Sequence, residues 1–546
     1  MTVRSASDDA QPHDAPAVAT GGRGPRRVSN VNTTDIRSAI ELGARAMARC
    51  FNADDDDLPF MYSRLWPDGW FGFSPWHCAV QVSGRHLEAM LRAAEVTGAP
   101  VDEEAIAKHT RGSLFSFTGR VPLPCNRREM GGPLVEVDEH SIREGFHGLS
   151  ALVRHRGNDQ AAELAERCIA AIQEFWSPES GWDLASLNRR SGLDFQARPT
   201  FVEGVGRAIG PLVKYVRTTG SVAALELAQT LKDHALDKFF LPDGSYETER
   251  FGAHGHSTTC VMSSLAQLAD LTDDAALLER VRTFYDRGLW TIRDEIGWVM
   301  ERSDAGRNPD QGELNNTGDM LETALILARR GYPSYYDDAE QMLRAHILPS
   351  QFRDTSFTGP APEPDDSDAR RDVADRALGM FGFCAPYAHR PIGIPEVAPS
   401  WDIVAGTTGS LCEAFADAVR RDGDVTRVNL WFDRHTADAL VESKYAEGIL
   451  QVTPLRGGPV AIRIPDWLNL DDIEVEPAGL ERRFAGGYLE FPSPTPNQTI
   501  TLHASLPTRE LVLKHRTRDI RVRLRGAAVE AMDSFGTDFT YFDPLD

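Results

Sequence analysis

Seven cysteines in 546 residues (50, 78, 125, 168, 260, 384 and 412), odd in number, widely scattered and without a C-x-x-C pair, give neither a disulfide framework nor a zinc-ribbon spacing. That usage suits the reduced thiols of a cytoplasmic protein. No run of eighteen apolar residues exists, so no bilayer-spanning helix is expected. The first residues, "MTVRSASDDAQPHDAPAVATGGRGPRRVSN", contain no apolar h-region and read as a disordered tail. Positive charge is scarce: 58 Lys and Arg face 81 Asp and Glu, for a net charge of −23. Nucleic acid and anionic membranes would both repel such a chain. P-loop, G-x-G-x-x-G and G-x-S-x-G phrases are missing, which argues against nucleotide binding and serine-hydrolase chemistry. No metal or cofactor is expected.

What the chain does have is a repeated helical hairpin. From about residue 36 to 424, an apolar helical run ends in a short polar turn and a striped amphipathic helix returns, as in "HLEAMLRAAEVTGAPVDEEAIAKHT" and "STTCVMSSLAQLADLTDDAALLERVRTFYDRGL". A helix apolar on all sides must be buried, whereas a striped one lies at the surface. Five such pairs and the opening of a sixth, "GTTGSLCEAFADAVRRDGDV", predict a mainly α fold, an (α/α)6 toroid. The loops between pairs are long and aromatic, for example "SRLWPDGWFGFSPWH" and "LPDGSYETERFGAHGH", and should wall a pocket at one end. From 425 to 546, short alternating runs such as "ILQVTPL", "PVAIRIP" and "TITLHASL" predict an antiparallel β-sandwich. The expected domains are thus a tail over 1–35, a catalytic toroid over 36–424 and a sandwich over 425–546. The polar insertion 359–376 should lie over the toroid.

The phrases "RVNLWFDRHTADAL", "PVAIRIPDWL" and "GYLEF", following a helical toroid, resemble glycoside hydrolase family 127, the β-L-arabinofuranosidase-like proteins, over about residues 140 to 515. Characterised members of that family hold a zinc with a glutamate and three cysteines, one of them the nucleophile. The corresponding stretches here read "ELNNTGDML" and "VAGTTGSLCEAF". Neither cysteine element is present, and Cys412 lies too far into its helix to replace one. The resemblance therefore implies a carbohydrate-facing pocket without thiolate chemistry on zinc.

Candidate site residues stand just ahead of the apolar helices. Asp319 and Glu322, three apart, share a helix face behind Asn315 and Asn316. At a helix start Asp319 suits a base, a stabiliser or a sugar-hydroxyl acceptor, and an Asn316 N-cap with Asp319 at N3 is the structural alternative. Glu322, further into the apolar helix, reads first as a paired structural acid. His254 and His256 flank a glycine before another apolar helix; an H-x-H pair can ligate a metal, but no third ligand stands nearby in sequence. In "GWVMERSDAGRN", Trp298 offers a sugar platform beside Glu301 and Arg307, unless it is core. Glu203 is a further acid before an apolar helix. Ahead of the last one stand Tyr387, Arg390, Trp401 and Asp402, the last two suited to stacking on a sugar and binding its hydroxyls, the arginine to a uronate carboxylate.

The leading expectation is a glycosidase acting on oligosaccharides, its acid pair drawn from Glu301, Asp319 and Glu249, with His256 assisting. His254, Trp298, Asn315, Asn316, Glu322, Tyr387, Arg390, Trp401 and Asp402 would bind substrate. A uronate lyase or epimerase using His256 or Tyr387 as base is the alternative, and a non-catalytic glycan binder a third. A homodimer is left open.

Overall fold

A computed structural model describes residues 26–74, 80–304, 310–360 and 367–545, and the backbone of 78 and 79. Arg307 and most of the expected tail, 1–25, lie outside the described residues. Residues 26–35 run beside the C-terminal segment, where the Val28 N–H donates to the Thr540 carbonyl at 3.0 Å.

Twelve helices form the ring. In chain order they are α1 (Ile36–Met47), α2 (Ser83–Thr97), α3 (Glu103–Ser116), α4 (Ile142–Arg156), α5 (Asp159–Phe175), α6 (Ile209–Thr219), α7 (Val222–Lys238), α8 (Gly255–Thr272), α9 (Ala275–Asp286), α10 (Leu314–Arg329), α11 (Tyr335–Met342) and α12 (Trp401–Asp417). The even-numbered helices are inner: each packs on the next, and α12 returns to α2. The odd-numbered ones lie outside them. The last inner helix has no following partner in sequence; α1 supplies it, packing between α12 and α2.

Capping separates the two rings. Five of the six outer helices begin on an Asp, Asn or Ser whose side chain accepts from a first-turn amide, for example Asp102 from Ala105 N and Asp274 from Leu277 N. No side chain caps an inner helix. Three inner helices end on a left-handed glycine (Gly98, Gly157, Gly220), which makes the turns at that end short. The long loops gather at the other end, where the uncapped, partially positive N-termini converge. Helices α2 and α4 cross closely because a Cβ at Gly84 would lie 2.1 Å from the Glu144 carbonyl oxygen.

Short two- and three-stranded pieces lie among the toroid's loops, and the C-terminal run of strands begins at Val419, just after α12. Two five-stranded sheets enclose a separate core that includes Val428, Trp431, Val452, Ile462 and Leu502. Their pairing is antiparallel except where Val425–Val428 meets Val460–Arg463. The last strands, Thr508–Lys514, Asp519–Arg525 and Ala528–Met532, form a third sheet, not part of the sandwich. Its apolar face, with Leu513, Ile520, Val522 and Leu524, is buried in the toroid's core. Sandwich and toroid are joined through Glu340, which accepts from Arg463 Nη2 at 2.8 Å and from Arg344 Nε at 3.0 Å. Among the described residues no helix is long and apolar enough to cross a membrane.

Candidate functional site

The H-G-H stretch and the "GELNN" stretch meet where α8 and α10 begin. His254 precedes α8 and His256 sits in its first turn; the glycine between them is required, since a Cβ there would lie 2.3 Å from the Met300 carbonyl oxygen. Glu313 precedes α10. Its carboxylate faces both imidazoles, with Oε2 3.7 Å from His254 Nε2 and Oε1 3.5 Å from His256 Nδ1. On the opposite edge of the His256 ring, Nε2 is 3.6 Å from Asp319 Oδ2. Asp319 also accepts from the Thr259 hydroxyl at 2.9 Å and lies 3.9 Å from Arg143.

One imidazole thus stands between two carboxyls, and its protonation decides how they ionise. Burial, followed by the nearby Arg207, Arg85 and Arg143, holds His256 well below the usual imidazole range, so the ring is neutral and has one N–H. A single N–H cannot serve both carboxylates, and the ring nitrogen without it faces an oxygen lone pair unless that carboxyl is protonated. Asp319 is the group that holds the proton: burial raises it to about 7, with Glu322 adding to the rise and Arg143 opposing it. Asn315 Nδ2 donates to Glu313 Oε1 at 2.7 Å.

Asn315 and Asn316 lie inside the first turn of α10 and not at its cap, since the helix begins at Leu314. Asn316 Nδ2 donates to the Met300 carbonyl at 3.3 Å, and the Oδ1 atoms of both asparagines are buried without a hydrogen-bond partner. Asp402 is buried and accepts from Arg85 Nη1 at 2.8 Å. Glu322 lies one turn deeper than Asp319 and accepts from the Ser263 hydroxyl at 2.6 Å. The lumen at these levels holds a cavity of about 40 Å³, lined by Arg85, Arg143, Asn315, Asp319 and Glu322 among others.

Other expected residues are elsewhere or closed off. Trp298 is buried, stacked on His515 at 4.2 Å, and donates through Nε1 to the Cys384 carbonyl, so it presents no open face. Trp401 is also fully buried, against Phe71. Tyr387 is buried and accepts from Ile392 N, and Arg390 lies 3.8 Å from Asp538. Glu249 is exposed on the short helix Thr248–Phe251. Glu301 is half-buried, and its carbonyl accepts from Gly255 N at 2.7 Å, so its peptide backs the start of α8. Glu203 accepts from the His254 N–H at 3.2 Å, which fixes the H-G-H turn. Glu313, Arg85, Arg143 and Thr259 escape the sequence reading. Glu313 had one signal, its place immediately before the apolar run.

The donor set for a three-cysteine zinc site does not fit. Asn315 stands two residues after Glu313, Trp401 and Asp402 open α12, and Cys260 and Cys412 are buried thiols that burial pushes upward. The mouth does bring together His254, His256 and Glu313 with ligand atoms all within 4.8 Å, a set that can hold a divalent ion. A second group of that kind, Cys50, His86 and His109, lies apart from it.

Fold and mouth together define an (α/α)6 toroid carrying a C-terminal sandwich, with a polar site at the N-terminal ends of its inner helices. Solved structures share this architecture. One is a GH127 β-L-arabinofuranosidase from Geobacillus stearothermophilus T6, at TM-score 0.53 and 13% identity, over 90% of this chain and 80% of that one. Another GH127 β-arabinofuranosidase aligns at TM-score 0.53 and 12% identity, over 93% and 84% of the two chains. A structure described as a glycoside hydrolase aligns at 0.51 and 14%, over 82% and 77%. The chain has the fold of these enzymes. No protein-family model matches it, and no curated protein matches its sequence.

Proposed function

We propose that the protein is a glycoside hydrolase acting on oligosaccharides, with its reaction centre at the toroid mouth around Asp319, His256 and Glu313. The observation that carries the reading is the single buried imidazole of His256 between the carboxyls of Glu313 and Asp319, the latter raised by burial to about 7. Glycosidic bond cleavage needs a proton donor for the leaving oxygen and a carboxylate for the water or the developing oxocarbenium ion. In this reading His256 gives its Nδ1 proton to the glycosidic oxygen while Nε2 takes one from Asp319, so the ring stays neutral. Glu313 is the carboxylate that faces the sugar. The fold shared with glycoside hydrolases agrees with this reading.

The elimination alternative has His256 or Tyr387 as base, with Asn315, Asn316 and Arg390 stabilising the enediolate. His256 and both asparagines lie at the mouth, whereas Tyr387 and Arg390 sit with the C-terminal segment, against Phe535 and Asp538.

Mass spectrometry of an oligosaccharide panel tests the reading. Products gaining the mass of water, with kcat reduced about 10²–10⁴-fold in Asp319→Asn and Glu313→Gln, are expected. An unsaturated product without added water would select elimination, and tight binding without turnover would make the protein a glycan binder. Glu249→Gln should turn over like the wild type.

A further inference from the structure

Apart from the mouth, four donor atoms converge in a closed cage between α1, α2 and α3. Cys50 follows α1, His86 is in the first turn of α2 and His109 in the middle of α3, and none of the three has exposed surface. Cys50 Sγ lies 3.6 Å from His86 Nδ1 and 3.8 Å from His109 Nε2, and those two nitrogens are 3.2 Å apart. The Met47 carbonyl oxygen closes the fourth corner, 3.3 Å from Sγ and 3.2 Å from His109 Nε2. Donors placed about 2.0–2.3 Å from one tetrahedral zinc stand about 3.3–3.8 Å from each other, which is the spacing of this cage.

The surroundings prepare the ligands. His86 Nε2 is 2.8 Å from the Trp401 carbonyl oxygen, to which it donates, so its Nδ1 turns a lone pair inward; a backbone carbonyl on the far nitrogen is the usual support of a ligating histidine. Without an ion, the N–H of His109 and the S–H of Cys50 converge on the one Met47 oxygen, and the lone pair of His86 points at the same spot.

We infer that Cys50, His86 and His109, with the Met47 carbonyl oxygen, hold one soft metal ion of the zinc and copper(I) class. On binding, the Cys50 S–H bond breaks and its proton leaves to solvent, the His109 proton passes from Nε2 to Nδ1, and sulfur–metal and nitrogen–metal bonds form with no change of oxidation state. The site would staple the end of α1 to α2 and α3, in the interior of the fold and independent of turnover at the mouth.

Elemental analysis of the full chain, expressed in zinc- and copper-supplemented medium and dialysed against a weak chelator, tests the site. The comparison is wild type, Cys50→Ser and the double variant His254→Ala/His256→Ala, which disables the other donor group. Expected is about one ion per chain in the wild type and the double variant, and its loss in Cys50→Ser. Cobalt(II) loaded into the wild type should show a thiolate-to-cobalt absorption band, a readout that stands even if Cys50→Ser does not fold. A wild type that retains no ion, a cobalt spectrum without the thiolate band, or an ion kept by Cys50→Ser and lost with the mouth histidines would overturn the assignment.

Discussion

At the scale of single residues, Asp319 makes the sharpest demand. Its folded-state value near 7 lies above the ordinary aspartate range, so the folded chain binds a proton that the unfolded chain has already released. Stability should therefore fall as pH rises from about 4 to about 7, and Asp319→Asn should remove that loss. Thermal melts at pH 5 and pH 8 check this: the variant's gain on the wild type should be larger at pH 8 than at pH 5. The same proton predicts a rate that declines above about pH 7 in the wild type, the limb moving or vanishing in Asp319→Asn. His254, His256 and Asp319 come together because residues at the starts of neighbouring inner helices meet at one end of the ring, which the placement of polar residues ahead of apolar runs made readable. The tryptophans misled, since Trp298 and Trp401 beside acids read the same whether a ring faces sugar or core. Glu313 was hidden for a related reason: only the fold brings it to histidines nearly sixty residues earlier.

Elements are held by close backbone approach and by one buried charge cluster. Gly84→Ala would push a methyl group into the Glu144 carbonyl oxygen, which belongs to the backbone of α4 and cannot swing aside. A loss of about 1–3 kcal/mol by chemical denaturation is expected, the range for overpacking. Glu340 accepts from two guanidiniums, those of Arg344 and Arg463, and all three side chains are buried. Glu340→Ala takes from Arg344 the carboxylate it pairs with and leaves Arg463 with Asp337 alone, and should cost roughly 3–5 kcal/mol, whereas exposed pairs such as Arg37–Glu41 should contribute less than about 1 kcal/mol. A denaturation series over these variants orders them. Helix pairing was readable because inner and outer helices differ in how much of their surface is apolar. The third sheet was not: "ELVLKH" and "IRVRLRG" alternate like sandwich strands, and alternation does not say which core a face is turned to.

For the whole molecule, the C-terminal strands cannot be treated as a detachable appendage. Leu513, Ile520, Val522 and Leu524 fill the toroid's own core, and His515 covers Trp298 and lies 2.9 Å from Asp294. A chain ending at residue 507 should be insoluble or lack a cooperative melting transition, although the ring helices are all present; calorimetry and solubility decide. The toroid was legible from its repeat, but not its closure, because "GTTGSLCEAFADAVRRDGDV" opens a hairpin whose second helix lies at the opposite end of the chain. That closure has a consequence for biosynthesis. Helix α1 leaves the ribosome first, yet its seat between α2 and α12 is complete only when nearly the entire ring has been translated. Until then the apolar flanks of α1 and α2 stay uncovered, so the nascent chain should engage holding chaperones until α12 emerges.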